Sequence, residues 1–131
     1  MTAGFDLTEV TDKKLREAYE AFPEFLQERL ASVFIAQPDL IPPFREGEIQ
    51  KVVRALKKEK ATGELARELD AYSLIPVRLR ADLSLVLEKY HYLWWLFLQH
   101  RMMEVARALY GINDDLSVKL RMAMQYNLNV R

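Results

Sequence analysis

The stretch from Pro76 to Tyr110, PVRLRADLSLVLEKYHYLWWLFLQHRMMEVARALY, has no glycine and no proline after its first residue, and Gly111 follows at once. Proline fits the first turn of a helix, where its missing N–H costs nothing. Glycine suits the left-handed residue just past a helix end. Ile112 stands where an apolar residue packs back on the last turn. The spacing predicts one long helix over 76–110, roughly 50 Å at ~1.5 Å per residue. Asp82–Ser84 is where a break is expected, if there is one.

The middle of that stretch, Tyr92 to Leu98, is apolar without interruption. It is far too short to span a bilayer, which takes about 20 apolar residues. A helix that is apolar all round must be covered on all sides, so a central helix wrapped by the others is expected. The sharper alternative is that one side, carrying Trp94 and Trp95 or their neighbours, forms an aromatic interface with another protein, since tryptophan and tyrosine are favoured at interface hot spots.

The rest of the chain reads as shorter helices. Thr11 is an N-cap candidate with Asp12 in the first turn, and Leu15, Ala18, Tyr19 and Phe22 follow at helical spacing. Pro23 kinks this helix or opens a second, in which Phe25, Leu26, Leu30, Val33 and Phe34 continue one face. Glu17, Glu20, Glu24 and Glu28 make the outer face acidic. Gln37–Arg45 holds three prolines in six residues, which predicts extended backbone. Its Leu40, Ile41 and Phe44 are too apolar for a free linker, so it should lie on the core. Ile49, Val52, Val53 and Leu56 stripe a helix over 48–60, and Leu65, Leu69 and Tyr72 stripe another after a Thr62-Gly63 turn. Asn113 caps a last helix carrying Leu116, Leu120 and Met124. No segment alternates with period two for long enough to propose a sheet. The expected fold is all-α: a single domain, 1–131, built as a bundle of five or six helices around 76–110.

Composition sets the function classes. The length, 131 residues, is that of one domain, and the hydrophobic half of the chain suffices for a core. Nineteen basic residues balance nineteen acidic ones, so no global field draws the protein to nucleic acid or membrane. The absence of cysteine excludes disulfides and thiolate metal sites. MTAGFDLTEV carries no basic segment followed by an apolar one, so no secretory signal is read, and an intracellular protein, cytoplasmic or nuclear, is expected.

Glu88 and His91 have the i, i+3 spacing of helix-borne metal sites. A di-metal bundle needs a second such pair, and Phe97 stands three residues before His100. A polar helix edge is the expected role, with no metal. Gly-rich phosphate loops and a serine nucleophile elbow are absent from the sequence. A non-enzymatic protein with no cofactor is expected.

Glu48 to Leu87 resembles a helix-turn-helix unit: a helix, a Thr62-Gly63 turn, Glu64–Leu69 with Ala66 inside, then Val77-Arg78-Leu79-Arg80. A small residue lets two helices cross closely while a third carries arginines to phosphates and base edges. Eight basic residues stand against four acidic ones between Lys51 and Arg80. Asp70 occupies the usual turn glycine position and Pro76 an inward β-branched one. The basic interaction patch this defines is Lys51, Arg54, Lys57, Lys58, Arg78 and Arg80. The competing reading is two amphipathic helices with solvated basic faces.

The arrangement from about Phe25 onward also resembles the helical domain of a GINS-type DNA-replication subunit. The residues concerned are Ile41-Pro42-Pro43-Phe44-Arg45-Glu46 leading into the helix with Val52, Val53 and Lys57. Leu74-Ile75-Pro76 then leads into a long helix with Ser84, Leu85, an aromatic centre, Arg101 and an end at Tyr110-Gly111, and Leu120-Arg121 follows. The chain differs in its extra N-terminal helix and in Glu88–His91 where an arginine-rich run is expected, and no small β-rich second domain is expected within these residues. The resemblance implies a non-catalytic helical scaffold in a replication-type assembly. Its expected partners are other protein subunits, as homo- or hetero-oligomer. Nucleic acid would be met through the basic middle segment, and no membrane is involved. A helix-turn-helix DNA-binding protein is the alternative.

Overall fold

The computed structural model describes residue 7 and residues 10–130, with side chains up to residue 125. Most of the N-terminal segment read for a secretory signal lies outside the described residues. Those residues form nine α-helices and two 3-10 helices, with no strand among them. The all-α expectation holds, with more and shorter helices than the five or six expected. Contacts group the chain into two compact units, Met1–Asp70 and Ala71–Arg131, and the division falls inside the fifth helix.

In the first unit, α1 (Lys13–Glu20) is capped by Asp12 rather than Thr11. The Asp12 carboxylate accepts from the Leu15 N–H at 3.1 Å and from Arg45 Nε at 2.6 Å. That backbone hydrogen bond, then the Arg45 guanidinium, hold Asp12 below the usual carboxylate range. Pro23 opens α2 (Glu24–Ala36) instead of kinking α1. The prolines of 37–45 do not produce extended chain. Residues Pro38–Leu40 make a 3-10 turn and Ile41–Arg45 make α3, with Pro42 and Pro43 in its first turn, where no N–H is needed. Leu40 and Phe44 are buried, as their character demands. The Phe44 ring lies 5.0 Å from Phe34, 5.1 Å from Tyr19 and 6.1 Å from Phe22. Burial in this aromatic cluster pushes the Tyr19 hydroxyl up to about 12.

The helix α4 (Ile49–Lys57) buries Val52, Val53 and Leu56. A 3-10 turn, Lys60–Thr62, precedes α5 (Gly63–Ser73), and Thr62 Oγ1 donates to the Leu56 carbonyl at 2.7 Å. Glu68 of α5 is a buried carboxylate, 1% exposed. Arg29 Nη1 of α2 reaches its two oxygens at 2.8 and 2.7 Å. Burial nevertheless wins, and the Glu68 carboxyl sits above its ordinary value despite the arginine.

In the second unit the single helix expected over 76–110 is three: α6 (Val77–Lys89), α7 (His91–Leu98) and α8 (Met102–Leu109). Asp82–Ser84, the expected weak point, is helical. The first break has a reason in the apolar pattern. Leu79, Leu83 and Leu87 form the buried stripe of α6, and its next i+4 position is His91, which is exposed. The next buried residue, Leu93, is six positions past Leu87, about 240° around a helix. Tyr90 leaves the helical region (φ −118°, ψ 82°) and re-aims the chain.

The second break is a helix stop of the Schellman type. His100 N–H bonds the Phe97 carbonyl and Arg101 N–H bonds the Leu96 carbonyl, both at 3.0 Å. The residue in left-handed conformation is His100, φ 63°, where glycine is usual. Gly111 (φ 91°) ends α8 as expected, and Asn113 caps α9 (Asp114–Val130), its Oδ1 accepting from Leu116 N–H at 3.1 Å. α8 and α9 pack closely through small residues, and the buried Ser117 Oγ donates to the Ala106 carbonyl at 2.5 Å. α9 also packs on α6.

Candidate functional site

The aromatic stretch of α7 divides by face. Leu93, Phe97 and Leu98 are buried, and Phe97 meets Tyr72 edge-on with ring centroids 4.7 Å apart. Trp94 is half-buried and stacks on Phe97 at 5.6 Å. Trp95 is 61% exposed and Tyr92 60%. A central helix covered on all sides is therefore overturned. An eight-residue helix lying against its own unit has only one face to bury, and the apolar residues left over face solvent. His91, Tyr92, Trp95 and Gln99 share this outer face at i, i+1, i+4 and i+8. Tyr90 stands edge-on to Tyr92 at 6.3 Å, with Lys89 Nζ 5.7 Å over the Tyr90 ring. Of the two tryptophans expected at an interface, Trp95 is presented and Trp94 serves the core. Tyr92, one of their unnamed neighbours, joins Trp95. Its i+3 spacing from Trp95 was visible, but nothing local says which side of an all-apolar helix faces out.

The basic residues do not gather in one unit. Lys51, Arg54, Lys57 and Lys58 belong to the first unit and Arg78 and Arg80 to the second. On α4 and its C-cap all four are exposed. Lys51 pairs with Glu48 at 2.9 Å, whereas no ion pair to Arg54, Lys57 or Lys58 occurs among the described residues. Arg54 and Lys57 lie in the last turn, where cations complement the negative end of the helix dipole. Arg78 is exposed. Arg80, which a helix-turn-helix reader would place against DNA, is buried here. It is 9% exposed, its Nε donates to the Ile75 carbonyl at 2.9 Å, and burial lowers its pKa. It closes the backbone at the start of α6.

Glu88 and His91 fall on different helices because the chain breaks at Tyr90, so their i, i+3 spacing does not place them on one helical face. No group of three or more His, Asp or Glu residues suited to a metal ion occurs among the described residues. No described helix is long and apolar enough to cross a membrane.

Compared with protein-family models, curated proteins and solved structures, the chain matches none.

Proposed function

We propose that the protein is a non-catalytic helical adaptor subunit that binds another protein through the outer face of α7. The observation that carries this reading is the pair Tyr92 and Trp95, both about three-fifths exposed on one short helix. Large amphipathic rings supply contact area at little conformational cost, and they anchor interfaces when a partner excludes water around them. Leu85, 66% exposed on α6, adds apolar surface to the same unit. The resemblance to GINS-type subunits supports a place in a nucleic-acid-handling assembly, where Arg54, Lys57 and Lys58 would meet phosphates or an acidic neighbour. The helix-turn-helix alternative loses Arg80 to the backbone and keeps Arg78 alone.

The test is affinity capture from native extract with the parent and with Tyr92→Asp/Trp95→Asp, after circular dichroism shows that both are folded. A protein recovered with the parent and lost with the folded double variant supports the reading. Identical recovery by both sinks it.

A further inference from the structure

We propose that the α8–α9 hairpin exchanges between two copies of this chain, with Gln99–Arg101 as the hinge. Three observations lead there. First, the hinge has no glycine or proline, and a residue other than glycine, His100, occupies the left-handed position that closes α7. Such a conformation is disfavoured for every residue with a Cβ. Opening the hinge into helix relieves it and adds intrahelical hydrogen bonds across 99–101.

Second, the apolar phase survives that opening. Leu98, Met102, Val105 and Leu109, all buried, follow at i+4, i+3 and i+4. A continuous α7–α8 helix keeps these side chains on one stripe. The break at Tyr90 lacks this property, because the stripe of α6 runs into His91 there. Of the two breaks, the one at His100 is suited to opening.

Third, the element beyond the hinge is built to move as one piece and to need a dock. α8 and α9 hold each other through the Ser117–Ala106 contact. α9 also packs on α6, and this depends on the chain folding back. If 91–109 were one helix, with the turn at Tyr90 kept, the 17 residues of α9 would span about 26 Å. Running back from Gly111 they would reach only the level of about residue 93, short of α6. When α7 and α8 become continuous, the hairpin leaves α6 of its own chain and the α6 of a second copy offers it the same contacts. Exchange of identical contacts makes such a dimer accessible at low cost. This inference is independent of the partner-binding role of Tyr92 and Trp95.

The experiment compares the full chain with His100→Gly and His100→Ala by light scattering across concentration, after equilibration under mildly destabilising conditions and return to buffer. Glycine removes the left-handed penalty from each of the two closed monomers that would form a dimer, and it disfavours the continuous helix at both opened hinges. It should lower the dimerisation constant by roughly a hundred-fold. Alanine should raise it. The chain has no cysteine, so His91→Cys and Arg107→Cys, both at exposed positions, accept spin labels cleanly. In dimers diluted with unlabelled chain, the 91–107 backbone separation should lengthen to that of unbroken helix, about 24 Å. Equal association of the three proteins overturns the proposal, as does absence of any dimer from parent and His100→Ala. So does a dimer whose 91–107 separation equals the monomer's.

Discussion

Arg29→Met isolates Glu68, a buried carboxylate whose partner lies on another helix of the first unit. Glu68 keeps 2% of its side chain exposed, while Arg29 keeps 41% of its own. Methionine preserves the apolar stem of the arginine and removes its donors. Removing one member of a buried pair costs about 3–5 kcal/mol, because the remaining charge is left in low dielectric. The half-open position of Arg29 lets water reach the vacated place, so the lower end, about 3 kcal/mol, is expected. That is a large share of the roughly 5–15 kcal/mol that holds a domain.

The pH dependence supplies the check on mechanism. Glu68 already titrates above its ordinary 4.5 in the folded chain, so the native state holds its proton more tightly than the unfolded state. This group's contribution therefore weakens stability as pH rises through the window above 4.5. Losing Arg29 widens that window. The deficit of Arg29→Met should be full at pH 7 and shrink toward pH 5. Arg29→Met/Glu68→Gln should return to within about 1 kcal/mol of the parent, since a neutral amide loses far less on burial than an ionised carboxylate. Urea unfolding followed at 222 nm at the two pH values measures all of this. A deficit below about 1 kcal/mol at pH 7, with no change at pH 5, would refute the reasoning.

Two neighbours on α7 should behave oppositely in thermal and urea unfolding. Trp95→Asp should cost under about 1 kcal/mol because its ring faces solvent, whereas Phe97→Ala should cost about 3–5 kcal/mol by opening a cavity against Tyr72 and Trp94. Comparable losses would mean that the outer face of α7 is covered. Changing Lys51, Arg54, Lys57 and Lys58 together to Glu should leave the melt nearly unchanged, since exposed charges contribute little each. If nucleic acid meets this face, duplex binding by the parent should fall with salt and vanish in the variant, as titration of a labelled duplex across salt concentrations would show. Ser117→Leu should destabilise by about 1–3 kcal/mol, because α8 and α9 leave no room for the larger side chain; an unchanged urea midpoint would mean that the two helices pack less closely.

How much was legible beforehand depends on the range of the interaction that decides each feature. Local stripes placed the buried faces of α4 and α5: Val52, Val53 and Leu56, then Leu65, Leu69 and Tyr72. Local stereochemistry fixed Gly111 and the Asn113 cap, because glycine's left-handed freedom and an Asn oxygen three residues before an N–H are short-range effects. Proline content misled at 42–43, where two prolines fit a first helical turn as well as they fit extended chain. The breaks at Tyr90 and His100 are tertiary. Every residue from Val77 to Tyr110 tolerates helix, and the α6 and α8 faces can both reach α9 only if the chain turns between them. Which tryptophan faces out, and that Arg80 is buried against the Ile75 carbonyl, depend on folding in the same way. An apolar or basic residue type states what a side chain can do, and only the neighbours brought to it by folding decide which of those things it does.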